Sequence, residues 1–118
     1  MAQDTFIFRP ETETRAPAAQ LAQDRDAYRR QIAYLFAASP FHREKLAAAG
    51  FGDAASVGEI EDIAKLPFTE KDEIRASQAA EPPLGRHCAA AADRILRIYS
   101  TSGTTGDPCY LPLTANDL

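Results

Sequence analysis

The first sustained hydrophobic pattern lies between residues 17 and 38, where Leu21, Tyr28, Ile32, Leu35 and Phe36 recur. Their spacing falls on one face of a 3.6-residue period, so a single long helix is predicted over 17–38. Asp24, Arg25, Arg29 and Arg30 fall mostly on the opposite side, read as a solvated face. Ser39-Pro40 ends this helix and starts another. Ser39 can cap, and Pro40 suits a first helical position, where a missing N–H costs nothing. Residues 41–49 are alanine-rich and predicted helical, with Gly50 supplying a left-handed end. Ser56 with Glu59 fits a capping box before Ile60 and Ile63, and Thr69 with Asp72 fits another before Ile74. Leu66-Pro67-Phe68 breaks the chain between them. Glu70, Asp72 and Glu73 sit where a helix dipole favours acids. That helix fades near 78–80, and Pro82-Pro83 stops it.

The periodicity then changes. Arg94-Ile95-Leu96-Arg97-Ile98-Tyr99 is rich in β-formers and predicts a strand, with Tyr99 as core at its end. A polar loop from Ser100 to Pro108 leads to a second strand over 109–113. Thr114-Ala115-Asn116-Asp117 repeats the capping pattern, a helix signal with no helix behind it, so the chain is expected to be incomplete. The expected organisation is therefore an irregular lead-in over 1–16, a helical segment over 17–93 and a strand–loop–strand unit over 94–118. In the lead-in, Phe6, Ile7 and Phe8 are expected to form a short strand or to pack on a neighbour. The fold class is α/β, mostly helical in this span. There is no internal repeat.

Residues 101–106 carry the candidate chemistry. Gly103 and Gly106 free the backbone for unusual dihedrals and close approach to a ligand. Thr101, Ser102, Thr104 and Thr105 can donate hydroxyl hydrogens to anionic oxygens, and successive N–H groups in such a turn can form an anion-binding nest. An ordinary hairpin turn needs only a couple of residues of this kind, whereas here Ser, Thr and Gly run from Ser100 to Gly106. No lysine follows Gly106, so this is not a Walker loop.

Composition narrows the field. Hydrophobic residues make up 45% and charged residues 25%, which is globular rather than disordered. A net charge of −4 argues against a duplex nucleic-acid partner and against attraction to an anionic membrane. No apolar run approaches a membrane span, and the first residues show no signal-peptide pattern. Cys88 and Cys109 form no metal-like or disulfide framework and suit reduced thiols in the cytoplasm. His42, alone in its helix turn, is read as a packing or surface residue.

The run Thr101-Ser102-Gly103-Thr104-Thr105-Gly106-Asp107-Pro108 closely resembles the T/S-S-G-T-T-G-x-P signature of adenylate-forming enzymes. Upstream, Pro40-Phe41-His42-Arg43-Glu44-Lys45-Leu46 and Ile63 through Arg75, with Leu66-Pro67-Phe68-Thr69 at its centre, are similar to the N-terminal region of phenylacetate–CoA ligases. The resemblance covers roughly residues 32–118. It implies ATP, Mg2+ and coenzyme A as cofactors, a small carboxylic acid as substrate, and an acyl-adenylate passed to the CoA thiol. It further implies Thr101, Ser102, Thr104 and Thr105 as phosphate donors, with Gly103 and Gly106 permitting the turn. Members with a carrier-protein or amine acceptor share this chemistry, and a helical interaction module with a Ser/Thr/Gly linker is the non-enzymatic alternative. Some relatives form homodimers, which leaves that arrangement open. Where many members carry lysine, this chain has Asp107 and Cys109. A carboxylate beside a triphosphate is unfavourable unless it points away or faces a cation. The adenine, acyl and catalytic-lysine sites lie further along in the family, so these 118 residues alone are expected to be inactive.

Overall fold

The computed structural model describes residues 6–103 and 106–118. Its helices are α1 (Pro10–Glu13), α2 (Pro17–Ala38), α3 (Pro40–Ala48) and α4 (Lys71–Ala80). Two strands follow, β1 (Ile95–Ser100) and β2 (Tyr110–Thr114). Short 3-10 turns cover Ala55–Val57, Ile60–Lys65, Ala92–Arg94 and Ala115–Asp117.

Ser39 sets the angle between α2 and α3. Its extended backbone ends α2, its N–H still donates to the Leu35 carbonyl, and its hydroxyl accepts the His42 N–H at 3.3 Å to start α3. Such a cap is worth about 1 kcal/mol, and here it is fully buried. At the other end of α3, Gly50 takes φ +95° and the Phe51 N–H returns to the Leu46 carbonyl, the left-handed stop expected of glycine. Ile32 of α2, Leu46 of α3 and Val57 are the buried apolar residues of the helical part, at 6%, 6% and 1% exposure.

Polar ties do the rest. Lys45 reaches both carboxylate oxygens of Glu73 at 2.5 Å, joining α3 to the first turn of α4. Arg25 pairs with Glu61, and Arg29 with Glu59 at 2.7 Å, joining α2 to the Ile60–Lys65 turn. Arg25 and Arg29 on that face are thus half-exposed but engaged, rather than simply solvated. After α4, the Ser77 hydroxyl accepts the His87 N–H at 3.0 Å, and Tyr34 donates to the Ala89 carbonyl at 2.8 Å.

Two caps differ from the sequence expectation. Ser56 closes a local turn with Asp53, and the box before Ile60 is formed by Glu59 and Asp62 instead. Before α4 the box is Glu70 with Glu73, not Thr69 with Asp72. The reason is competition for carboxylates: Asp72 is drawn to Arg75 at 3.0 Å, while Lys45 holds Glu73 where it also meets the Glu70 N–H. These two contacts, the amide first, hold the Glu73 carboxyl below its ordinary range. Residues 60–65 form a 3-10 turn, not an α-helix. In the lead-in, residues 6–8 make no strand, Phe6 and Phe8 are exposed, and one helical turn forms at α1. The strands begin one residue later than predicted. Tyr99 is half-exposed, accepting a bond from Arg97 at 3.1 Å, and is not a core residue.

His42 and His87 flank the Phe41 ring edge-on, each with Nδ1 about 3 Å from a buried serine hydroxyl. Burial lowers both imidazole pKa values, and for His42 the neighbouring His87 and Lys45 add to the effect. A lowered folded value means that the unfolded chain takes up protons first. Their contribution is therefore complete above the ordinary value of 6.5 and is lost as pH falls toward the depressed value. Urea midpoints are expected to fall between pH 7.5 and 5.5, and the pair His42→Gln plus His87→Gln is expected to flatten that slope. An unchanged slope in the double variant contradicts the assignment. Leu46→Ala is expected to cost about 2–4 kcal/mol by the same measurement; a loss well below 1 kcal/mol would show that Leu46 is not core.

Candidate functional site: the loop between β1 and β2

β1 and β2 pair antiparallel, Ser100 opposite Tyr110 and Ile95 opposite Thr114, with an irregularity between Ile95 and Arg97. The β-branched and aromatic content of 95–99 favours this pairing. Beyond the last strand pair the ladder gains one more rung: the Thr101 N–H donates to the Cys109 carbonyl at 3.0 Å. The Cys109 N–H then donates to the Thr101 hydroxyl oxygen at 2.9 Å. Thr101 therefore closes the neck of the loop. Its amide is committed, and what it retains for a ligand is its hydroxyl hydrogen.

Above the neck, the Gly106 N–H donates to the Gly103 carbonyl at 3.3 Å. Gly103 has φ +63°, and a Cβ there would lie 2.9 Å from the Gly106 carbonyl oxygen. Both facts exclude a side chain without rearrangement. Ser102 is exposed at the tip. Thr104 and Thr105 lie outside the described residues. Asp107 is exposed, whereas Cys109 is buried at 2% exposure.

The outgoing arm of the loop rests on α4. Gln78 donates to the Pro108 carbonyl at 3.0 Å and accepts the Tyr110 N–H at 3.0 Å. One turn earlier, the Arg75 Nε donates to the Asp107 carbonyl at 3.3 Å. A cleft of about 430 Å³ lies at this junction, lined among others by Arg75, Gln78, Gly106 and Tyr110. Neither Arg75 nor Gln78 is picked out by sequence reasoning. Arg75 stands within the similar Leu-Pro-Phe-Thr stretch, but Gln78 carries no signal beyond its place one turn after Arg75 on the helix.

No group of three or more His, Cys, Asp or Glu side chains is gathered to hold a metal ion among the described residues.

No protein-family model matches the chain. It is 32% identical over 96% of its length to a phenylacetate–coenzyme A ligase of Thermus thermophilus, and spans 24% of that protein. A phenylacetate–coenzyme A ligase of Pseudomonas putida is 33% identical over 67% of the chain, which spans 17% of that relative. Among solved structures, a 2-hydroxyisobutyryl-CoA ligase in complex with 2-HIB-AMP and CoA superposes with a TM-score of 0.81. The match has 31% identity and covers 92% of this chain and 23% of that one. An open conformation of that ligase, also with 2-HIB-AMP and CoA, gives a TM-score of 0.79 and 28% identity. Helices leading into a small antiparallel hairpin with this loop thus define a segment of an adenylate-forming fold. Within that class the chain is phenylacetate–CoA ligase-like.

Thr101→Val removes the acceptor for the Cys109 amide while conserving volume. It is expected to destabilise the neck by about 1 kcal/mol and to speed hydrogen exchange at the Cys109 amide. Unaltered exchange there would show that the hydroxyl does not hold the neck.

Proposed function

We propose that the protein carrying this chain is an AMP-forming acid–CoA ligase, with the loop between β1 and β2 holding the triphosphate of ATP. A carboxylate is a poor electrophile, so it must first acquire a leaving group. A carboxylate oxygen attacks the α-phosphorus of ATP, the bond to the β-phosphate bridging oxygen breaks, and pyrophosphate departs. The CoA sulfur, its proton removed, then attacks the acyl carbon and expels AMP. The loop's part is positioning and charge stabilisation in the first step. Ser102, Thr104 and Thr105 would donate hydroxyl and amide hydrogens to the β- and γ-phosphates. Thr101 would add its hydroxyl, and Gly103 and Gly106 would permit the turn.

The observation that carries this reading is Gly103: its positive φ and the 2.9 Å clearance impose a tight glycine turn in a run of hydroxyl residues. Support also comes from the ligase relatives and from the adenylate and CoA bound to the structural neighbour. Those names favour CoA over a carrier protein or amine as acceptor, and a ligase over a linker-bearing interaction module. The acid is proposed to be small, with an aryl acid as one candidate class. Mg2+ is proposed as the companion of ATP. The setting is proposed to be the cytoplasm, in keeping with the free thiols Cys88 and Cys109. Among the described residues no helix is long and apolar enough to cross a membrane.

In the natural full-length protein, pyrophosphate release is to be measured over a panel of acids including phenylacetate and 2-hydroxyisobutyrate. CoA is expected to be required for thioester formation but not for pyrophosphate release. Gly103→Val is expected to lower adenylation by about 100-fold. Pyrophosphate release at the unchanged rate in that variant would sink the reading.

A further inference from the structure

We propose that Gln78 and Arg75 on α4 are positioning residues for the nucleotide, fixing the outgoing arm of the loop so that its free donors face the β- and γ-phosphates. This rests on the reading of the loop as a triphosphate holder.

The outgoing arm cannot hold itself. Pro108 has no N–H, and the Cys109 N–H is taken by the Thr101 hydroxyl. The arm's remaining polar groups turn toward α4, where two side chains one helical turn apart meet three of them: the Asp107 and Pro108 carbonyls and the Tyr110 N–H. The carboxamide of Gln78 offers a donor and an acceptor side by side, as a peptide group does. It stands where a third strand would begin, on the edge of β2 away from β1. An apolar residue in its place would leave the Pro108 carbonyl and the Tyr110 N–H without these partners.

Arg75 adds charge to the same footing. Its guanidinium lies beneath Gly106, with Nη2 3.5 Å from where a Cβ at that residue would stand. Nη1 is held by Asp72 at 3.0 Å, while Nη2 is buried and has no hydrogen-bond partner among the described residues. Asp72 shares part of its charge, but the buried, unengaged nitrogen under the turn still adds positive potential where phosphate oxygens would sit.

The test compares binding of ATP and of AMP to the natural full-length protein by calorimetry. AMP lacks the two phosphates that the loop would hold, so a positioning role separates the two nucleotides and a merely structural role does not. Gln78→Leu and Arg75→Lys are each expected to weaken ATP about tenfold and to leave AMP within about twofold. Gln78→Asn keeps a donor and an acceptor on a stem one carbon shorter without adding charge, so it is expected to show a smaller but still ATP-selective loss. It also carries the test should Gln78→Leu fail to fold. Unchanged ATP affinity in Gln78→Leu and Arg75→Lys would overturn the proposal, as would equal weakening of ATP and AMP. Gly103→Val separates this failure from that of the underlying reading. If it too leaves ATP affinity unchanged, the loop does not hold the triphosphate. If it weakens ATP while the α4 variants do not, only the positioning role is lost.

Discussion

A loop that offers its backbone N–H groups to a ligand cannot use the same groups to hold its own shape. On the proposed reading of the loop, the hairpin here meets that constraint by taking support from outside. At the neck, the side chain of Thr101 satisfies the Cys109 amide. Along the outgoing arm, α4 supplies the partners through Arg75 and Gln78. The tip between Gly103 and Gly106 keeps a single described backbone bond of its own. What lies upstream can be understood as the means of holding α4 in place. Ser39 sets α3 against α2, Lys45 anchors the start of α4 through Glu73, and Ser77 ties the chain that follows α4 back to it.

These supports are mostly polar because the apolar core is thin. Ile32, Leu46, Val57 and Cys109 are the buried hydrophobic residues among those described. The hairpin leaves Leu96, Ile98 and Leu111 about half-exposed or more, and Phe68 in the Leu-Pro-Phe-Thr stretch is 92% exposed. Exposed ion pairs contribute about 0–1 kcal/mol each, so the Arg25–Glu61 and Arg29–Glu59 pairs orient elements more than they stabilise them.

Much of the helical part was legible because its signals are local. Ser39-Pro40 and Gly50 act within one turn of their own positions, and both behave as their residue types dictate. The caps at Glu59 and Glu70 were misplaced by sequence reasoning for a reason that is not local. Ser56 and Thr69 fit the box pattern as well as their neighbours do, but the carboxylates that would complete it are claimed elsewhere: Asp72 by Arg75, and Glu59 by Arg29, 30 residues away. Tyr99 was misjudged in the same way: a β-former at a strand end is core only when something covers it. The loop was read from its composition and signature, while its footing was not. Gln78 is an ordinary polar residue near a helix end until the fold brings Pro108 and Tyr110 beside it.

By itself, the sequence determined the periodic elements, the proline and glycine stops, and the glycine–hydroxyl run whose conformational freedom and donor supply suit an anion. These depend on backbone sterics and side-chain chemistry within a few residues. The tertiary structure alone decided which carboxylates cap and which pair, that the Thr101 hydroxyl closes the neck, and that α4 braces the loop from behind. Those outcomes depend mostly on which groups meet across 8 to 32 residues of chain, separations over which residue spacing carries no information and only packing does.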